Sequence, residues 1–393
     1  MEEIREYDIS KCPKIPLTDL VEYIVDNRGK TVPTTNEGIK LIATNCIRNE
    51  YLYPLYEKVR YVSQQIYDTW FRAHPKPGDI IFVNKGGPGK TALVPDNLDF
   101  CIAQDMMAFH VKSDVIYNKY LLAVLRGRPI QQFILNSQVG TIIPHFKKEQ
   151  LKSLLIPLPD MTIQKRIGDF YFNISEKCEN NRKINENLEQ QAQALFKSWF
   201  IDFEPFKDGK FIDSELGPIP EGWRVMSLSD IANYLNGLAM QKYRPNNGEK
   251  GLPVLKIKEL GAGQCDSNSD LCSSSINEDY IVNDGDVIFS WSGTLLVDIW
   301  CGGKCGLNQH LFKVTSSKYP KWFYYLWTLH HLSRFINIAK DKAVTMGHIK
   351  RGELDTSLVC IPPENEMENA TSLIEPYIKN IISHCCPLKI VDG

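Results

Sequence analysis

No stretch of this chain approaches the ~18 consecutive apolar residues that cross a bilayer, and its opening MEEIREYD lacks the basic-then-apolar layout of a signal peptide. The expectation is a cytoplasmic protein with no membrane contact. Neither sign of charge dominates: 45 Lys and Arg stand against 47 Asp and Glu, a net of −2. A stand-alone nucleic-acid binder usually carries a basic excess, so any such role here rests on local clusters or on partners. Eleven cysteines are an odd and scattered set, which fits reduced thiols better than a disulfide framework. Cys265, Cys272, Cys301 and Cys305 lack the tight Cys-x2-Cys knuckle, so no metal site is expected.

Catalytic signatures are also missing. Gly86 to Thr91 (GGPGKT) ends like a phosphate-binding loop, but that loop needs glycine at position 84, where Asn84 stands. No Asn/Asp-Pro-Pro-Tyr/Phe motif for amino-methylation occurs, since Ile361-Pro362-Pro363-Glu364 reads as a strand end. Pro-Asp followed at a suitable distance by Asp/Glu-x-Lys, the mark of a metal-dependent nuclease, is not found either. His145 and His348 have no accompanying nucleophile or carboxylate motif, so contact or packing is the better reading for both.

What the chain does have is a colinear repeat: residues 14–159 are written again at 225–363. Leu17-Thr18-Asp19-Leu20 returns as Leu228-Ser229-Asp230-Ile231, GDIIF at Gly78–Phe82 as GDVIF at Gly285–Phe289, and HFKKEQL at His145–Leu151 as HIKRGEL at His348–Leu354. An offset near about 200 residues that drifts only slightly means two copies of one fold with small loop insertions. Within each copy the GD-entered runs, and the segments Gly38–Ile47 and Gly251–Leu260, read as strands. Tyr117–Gln132 and Tyr319–Ile338 carry helical spacing and predict one packed helix per copy. His330 and His331 on the second of these read as packing residues.

Between the copies, apolar residues at Ile163, Ile167, Phe170, Ile174, Cys178, Ile184, Leu188, Ala192, Leu195 and Trp199 follow helical steps of mostly three and four, with Asp160 as cap. About 36–40 helical residues make a rod of about 54–60 Å. A single amphipathic helix needs a partner, and the seam residues Ile167, Ile174, Leu188, Leu195 and Trp199 are the candidate docking face. Its polar centre, Glu179–Lys183, suits register selection. After Pro363 a second stripe begins, Met367, Leu373, Ile374, Tyr377, Ile378, Ile381 and Ile382, but it ends near His384 at about half the first helix's length.

LFKSWFIDFEPF at Leu195–Phe206 followed by SELGPIPEGW at Ser214–Trp223 resembles the junction of specificity (S) subunits of type I restriction-modification systems. GDVIFSWSGT at Gly285–Thr294, LNQHLFKV at Leu307–Val314 and the two Pro-ended strands are similar to segments of that family's target-recognition domains. The resemblance implies an α+β chain with this layout: target-recognition domain 1 at 1–159, a long spacer helix at 160–205, a linker at 206–222, target-recognition domain 2 at 223–363, and a second, antiparallel but shortened spacer helix at 364–393. It implies a non-catalytic subunit in which each domain reads one half of a bipartite, asymmetric duplex DNA target. The helices then set the spacing and dock two methyltransferase (M) subunits, alongside restriction/translocase (R) subunits. S-adenosylmethionine, ATP and Mg are expected only in those partners, with no cofactor or metal in this chain.

The residues nominate the contact points. Lys85 and Lys90 flank a glycine turn, and Lys147 with Lys148 answers to Lys350 with Arg351, a basic pair at the same place in both copies. Such cations suit phosphates, while Asn84, Gln104, Ser290, Trp291, Asn308 and Gln309, with His145 and His348, lie in loops that can face base edges. Trp291 stands where the first copy has Asn84 or Lys85, so the two domains should read different sequences. Two other readings remain: a scaffold whose repeated domains hold proteins or RNA, and an unrecognised enzyme with a split site at the GD loops.

Overall fold

The computed structural model describes residues 8–27, 31–140, 143–266, 268–341 and 349–384. It divides into two compact units, Met1–Asn180 and Asn181–Gly393. The division falls inside the helix Met161–Phe200, whose 40 residues match the expected rod.

In the first unit, strand Ile80–Val83, buried along its whole length, lies inside a four-stranded antiparallel sheet with Met106–Val111, Val21–Asp26 and Thr91–Leu93. A three-stranded sheet follows, in which Ile39–Ile42 pairs antiparallel with Arg60–Val62 and parallel with Phe100–Ile102. The second unit repeats this topology, with one further strand, Ile281–Val282, on its second sheet. Val287–Ser290 lies between Leu311–Thr315 and Leu296–Ile299, with Asn233–Asn236 outside, and Leu252–Leu255 runs parallel to Cys305–Leu307. Each repeat is closed by pairing its first strand with its last, Lys14–Pro16 with Leu155–Pro157 and Arg224–Ser227 with Leu358–Ile361. The repeat read from the sequence is therefore a repeat of strand order.

Three expectations need correction. Each packed helix is a pair, Asn118–Arg126 with Arg128–Ser137 and Lys321–His330 with Leu332–Asp341. In the first pair Gly127 adopts an extended ψ of 143° and Pro129 opens the next helix, as expected where proline removes a helical N–H. The 206–222 linker is also structured: Phe211–Ile212 pairs with Ile219–Pro220, and Ile219 and Trp223 are buried in the second unit's aromatic core. The described thiols include Cys101, Cys265, Cys272, Cys305 and Cys360, whereas Cys301 is disulfide-bonded, so the reading of reduced thiols throughout fails there. His331 is a packing residue, its imidazole pushed down to about 4 by burial.

The long helix is spent largely on the chain's own cores. At its start Asp160 Oδ1 accepts the Ile163 N–H (3.1 Å), and the buried Gln164 bonds to Tyr117, Val115 and Pro159. Gly168 must be glycine, because a Cβ there would sit 2.6 Å from the Tyr120 nitrogen. Arg126 donates to Thr91, Tyr51 and the Tyr171 hydroxyl, tying helix to sheet. In the second unit Ala192, Phe196 and Phe200 enter the core beside Ala370, Ile374 and Ile378 of the helix Glu364–Ser383. Asn181 and Asn185 donate to the carbonyls of His384 and Ile381, both at 3.1 Å, capping that second helix as it runs antiparallel.

The docking face is corrected accordingly: Ile167 packs on the first unit's core and Leu195 and Trp199 on the second's. An apolar stripe buries against the nearest apolar surface, and here each domain supplies one. Ile174 and Leu188 remain partly exposed, and Phe170 and Ile184 are the helix's most exposed large apolar residues.

One half-buried carboxyl in the second unit gives a pH-dependent expectation. Asp298, on strand Leu296–Ile299, is pushed up to about 7, chiefly by burial, with Glu189 adding to the shift. Tyr325 donates to the same Glu189 at 2.6 Å. A carboxyl whose folded pKa exceeds its unfolded one holds its proton more tightly when folded, so stability is lost as pH rises from 3.8 through about 7. Asp298→Asn should remove that loss, stabilising the second unit at pH 8 by on the order of 2–4 kcal/mol and much less at pH 4. Denaturant midpoints at the two pH values check this, and an equal effect at both would refute it.

Candidate nucleic-acid interface

A residue just past a buried strand has a backbone N–H and C=O with no ladder partner, and both must be satisfied. Each unit meets this need in the same way. Asn84, after Ile80–Val83, donates its N–H to the Asp105 carbonyl (3.1 Å) and accepts from the Phe146 N–H (2.8 Å). Trp291, after Val287–Ser290, donates to the His310 carbonyl (3.4 Å) and accepts from the Ile349 N–H (3.1 Å). This backbone clasp gathers three segments far apart in sequence onto one edge of each domain. It also fixes the correspondence between copies: Trp291 replaces Asn84.

Around the first clasp stand Lys85, bridged to His145 in a short antiparallel contact, and partly exposed Gln104. Lys85 lies 3.8 Å from Asp105, and Lys148 forms an ion pair with Asp26 at 3.3 Å. Lys90 and Lys147 are exposed. Around the second clasp, Lys350 and Arg351 are exposed, and Arg351 donates to the Tyr234 carbonyl at 3.2 Å. Trp291 stacks on Phe312 with centroids 5.7 Å apart, and its Nε1 donates to Asn236 (3.0 Å). His348 lies outside the described residues.

Three nominated side chains face inward and are corrected. Asn84 is 1% exposed, and its Oδ1 is buried without a partner among the described residues. Ser290 is fully buried and donates to the Thr294 carbonyl (2.8 Å), closing its own loop. Asn308 is 8% exposed and accepts the His310 N–H at 3.2 Å, shaping a turn. That turn sits so close to Gly237 that a Cβ there would meet the Asn308 carbonyl oxygen at 2.2 Å. Polar residue type named these three, whereas their burial is set by the strand ends they follow.

This turn and the loop after Val287–Ser290 together present two residues the sequence reading passed over, His310 and Ser292. Ser292 Oγ lies 3.0 Å from His310 Nδ1, and Gln309 Nε2 lies 3.3 Å from His310 Nε2. The signal was visible only as an unmatched detail, a histidine where the aligned first copy has Asp105. Among the described residues no three His, Cys, Asp or Glu side chains are grouped to hold a metal ion, and no helix is long and apolar enough to cross a membrane.

Fold and site together define a duplicated α+β protein with two equivalent edges bearing unlike side chains. The sequence model of the type I restriction modification DNA specificity domain matches residues 14–190 and 220–384, and the chain belongs to that family. It is 26% identical over 397 residues to the Type I restriction enzyme MjaIX specificity subunit of Methanocaldococcus jannaschii, covering 97% of this chain and 91% of that protein. To the HindI specificity subunit of Haemophilus influenzae it is 32% identical over 137 residues, covering 34% of this chain and 30% of that protein. Among solved structures, the HsdS subunit from Thermoanaerobacter tengcongensis aligns at 18% identity with a TM-score of 0.32, covering 96% of this chain and 92% of that one.

Proposed function

We propose that this chain is the DNA sequence-recognition subunit of a type I restriction-modification complex. Each domain reads one half of a bipartite, asymmetric target, and the helices set the spacing and dock methyltransferase subunits. The observation that carries this is the clasp: one backbone device, present twice, holding Lys85, Gln104 and His145 in one domain and Trp291, Gln309 and His310 in the other. Identical scaffolds with different faces suit two unlike half-sites. Lysines at the rims position the phosphates, and the polar side chains between them face base edges.

The chain contributes recognition and no chemistry of its own. Partners, two methyltransferase subunits and the restriction/translocase subunits, supply S-adenosylmethionine, ATP and Mg. With a net charge of −2 the affinity comes in large part from those partners closing around the duplex. Co-expression with a methyltransferase subunit in cells lacking this modification, followed by sequencing of modified bases, tests the reading. A bipartite methylated motif is expected. A stable complex that modifies no motif would instead favour a scaffold.

A further inference from the structure

In the second domain the His310 imidazole is clamped between two side chains. An amide nitrogen can only donate, so Gln309 Nε2 at 3.3 Å makes His310 Nε2 the acceptor. The ring proton then resides on Nδ1 and is donated to Ser292 Oγ at 3.0 Å. Ser292 is 8% exposed and sits in the loop after the buried strand Val287–Ser290, so the chain of contacts is anchored in the sheet. Gln309 and His310 lie in the turn seated on Gly237, and both remain partly exposed.

This contact engages one N–H of the Gln309 amide. The other N–H and the carbonyl oxygen have no partner among the described residues and lie in one plane. One donor beside one acceptor, in plane, is the complement of adenine in the major groove, where N7 accepts and the N6 amine donates. The first domain has Gln104 at the equivalent place, but Asp105 follows it and pairs with Lys85, so no imidazole backs that amide.

We infer that Gln309 reads an adenine in the half-site of the second domain, with His310 and Ser292 as positioning residues that fix its amide. The inference rests on the specificity-subunit reading and names a base within it. Holding a glutamine in one rotamer removes the entropy that a surface glutamine loses on contact, and so sharpens discrimination as well as affinity.

The test uses the full chain assembled with methyltransferase subunits, with modified DNA sequenced for wild type, Gln309→Glu, His310→Ala, His310→Asn and Ser292→Ala. The wild-type motif should fix, besides the modified base, an adenine at one position of the second half. A carboxylate only accepts, and cytosine offers an N4 donor, so Gln309→Glu should open that position to cytosine, with preference for adenine over cytosine falling about 10- to 100-fold. His310→Ala should relax the same position and no other, His310→Asn should restore much of the preference by supplying an acceptor, and Ser292→Ala should weaken it less. The first half of the motif should stay unchanged in all four. An intact adenine preference in Gln309→Glu, or a wild-type second half with no fixed adenine, overturns the proposal. A fault in folding would instead lower modification at every position alike, and the ratio between bases would then hold, which also counts against the assignment. If the wild-type complex yields no bipartite motif at all, the specificity reading itself has failed, a result distinct from a bipartite motif without the adenine.

Discussion

Phe200→Ala is expected to cost the second unit about 3–5 kcal/mol, the range for emptying a large aromatic site in a close-packed core. Phe200 is 1% exposed at the end of the long helix. Its ring centroid lies 5.3 Å from Phe196, 5.5 Å from Trp223, and 5.6 Å from both Trp322 and Phe323. Those neighbours come from three different elements: the helix itself, the start of the second repeat, and the helix Lys321–His330. Rigid aromatic walls close poorly around a void, so the upper part of the range applies. Phe200→Leu, which keeps most of the volume, should lose less than half as much. Denaturant unfolding followed by tryptophan fluorescence measures both variants. A loss below about 1 kcal/mol for the alanine variant would show that the helix end is dispensable to this core.

Exchanging residues 14–159 for the same domain of a relative is expected to change one half of the methylated motif completely and to leave the other half as it was. The clasp bonds Asn84–Asp105 and Asn84–Phe146, and every base-facing candidate of the first domain, lie inside that stretch. The cut points fall where the first and last strands meet, Lys14 opposite Pro157, just before Asp160 caps the helix. The graft must carry residues equivalent to Tyr120 and Arg126, because Gly168 and Tyr171 of the retained helix pack against them. Sequencing of modified DNA reads the result directly. Alteration of both halves would mean that the domains are not independent readers.

Much of the architecture was legible because it is written in local patterns. GDIIF and GDVIF are short β-branched and aromatic runs, and both became fully buried strands in equivalent sheet positions. Asp160 was read as a cap and is one. The stripe from Ile163 to Trp199 gave the helix, but not what it packs against. Ile167, Leu195 and Trp199 were assigned to partner subunits, whereas the chain's own cores take them. Periodicity fixes which face is apolar and is silent on which surface covers it.

The candidate site was legible only as a set of segments. The repeat marked the loops at 84–90, 104–105 and 145–148 and their counterparts, and the described residues of these do converge. Within them, Asn84, Ser290 and Asn308 were chosen for polarity and turned out to support the loops from inside, while Ser292 and His310 were passed over. Polar type does not report direction, which depends on where a strand ends and which carbonyl lies opposite.

The sequence by itself determined the duplication, the strand-rich α+β repeats, the single long helix with its shorter successor, and the family resemblance. Each of these follows from residue order over a few dozen positions, where hydrophobic period and turn chemistry act. The tertiary structure alone decided that Trp291 stands in place of Asn84, that Ser292, His310 and Gln309 form one chain of contacts, and that the helix belongs to the domains at its ends. These depend on hydrogen bonds and packing between residues far apart in sequence, whose partners are chosen by the closed fold and not by their neighbours along the chain.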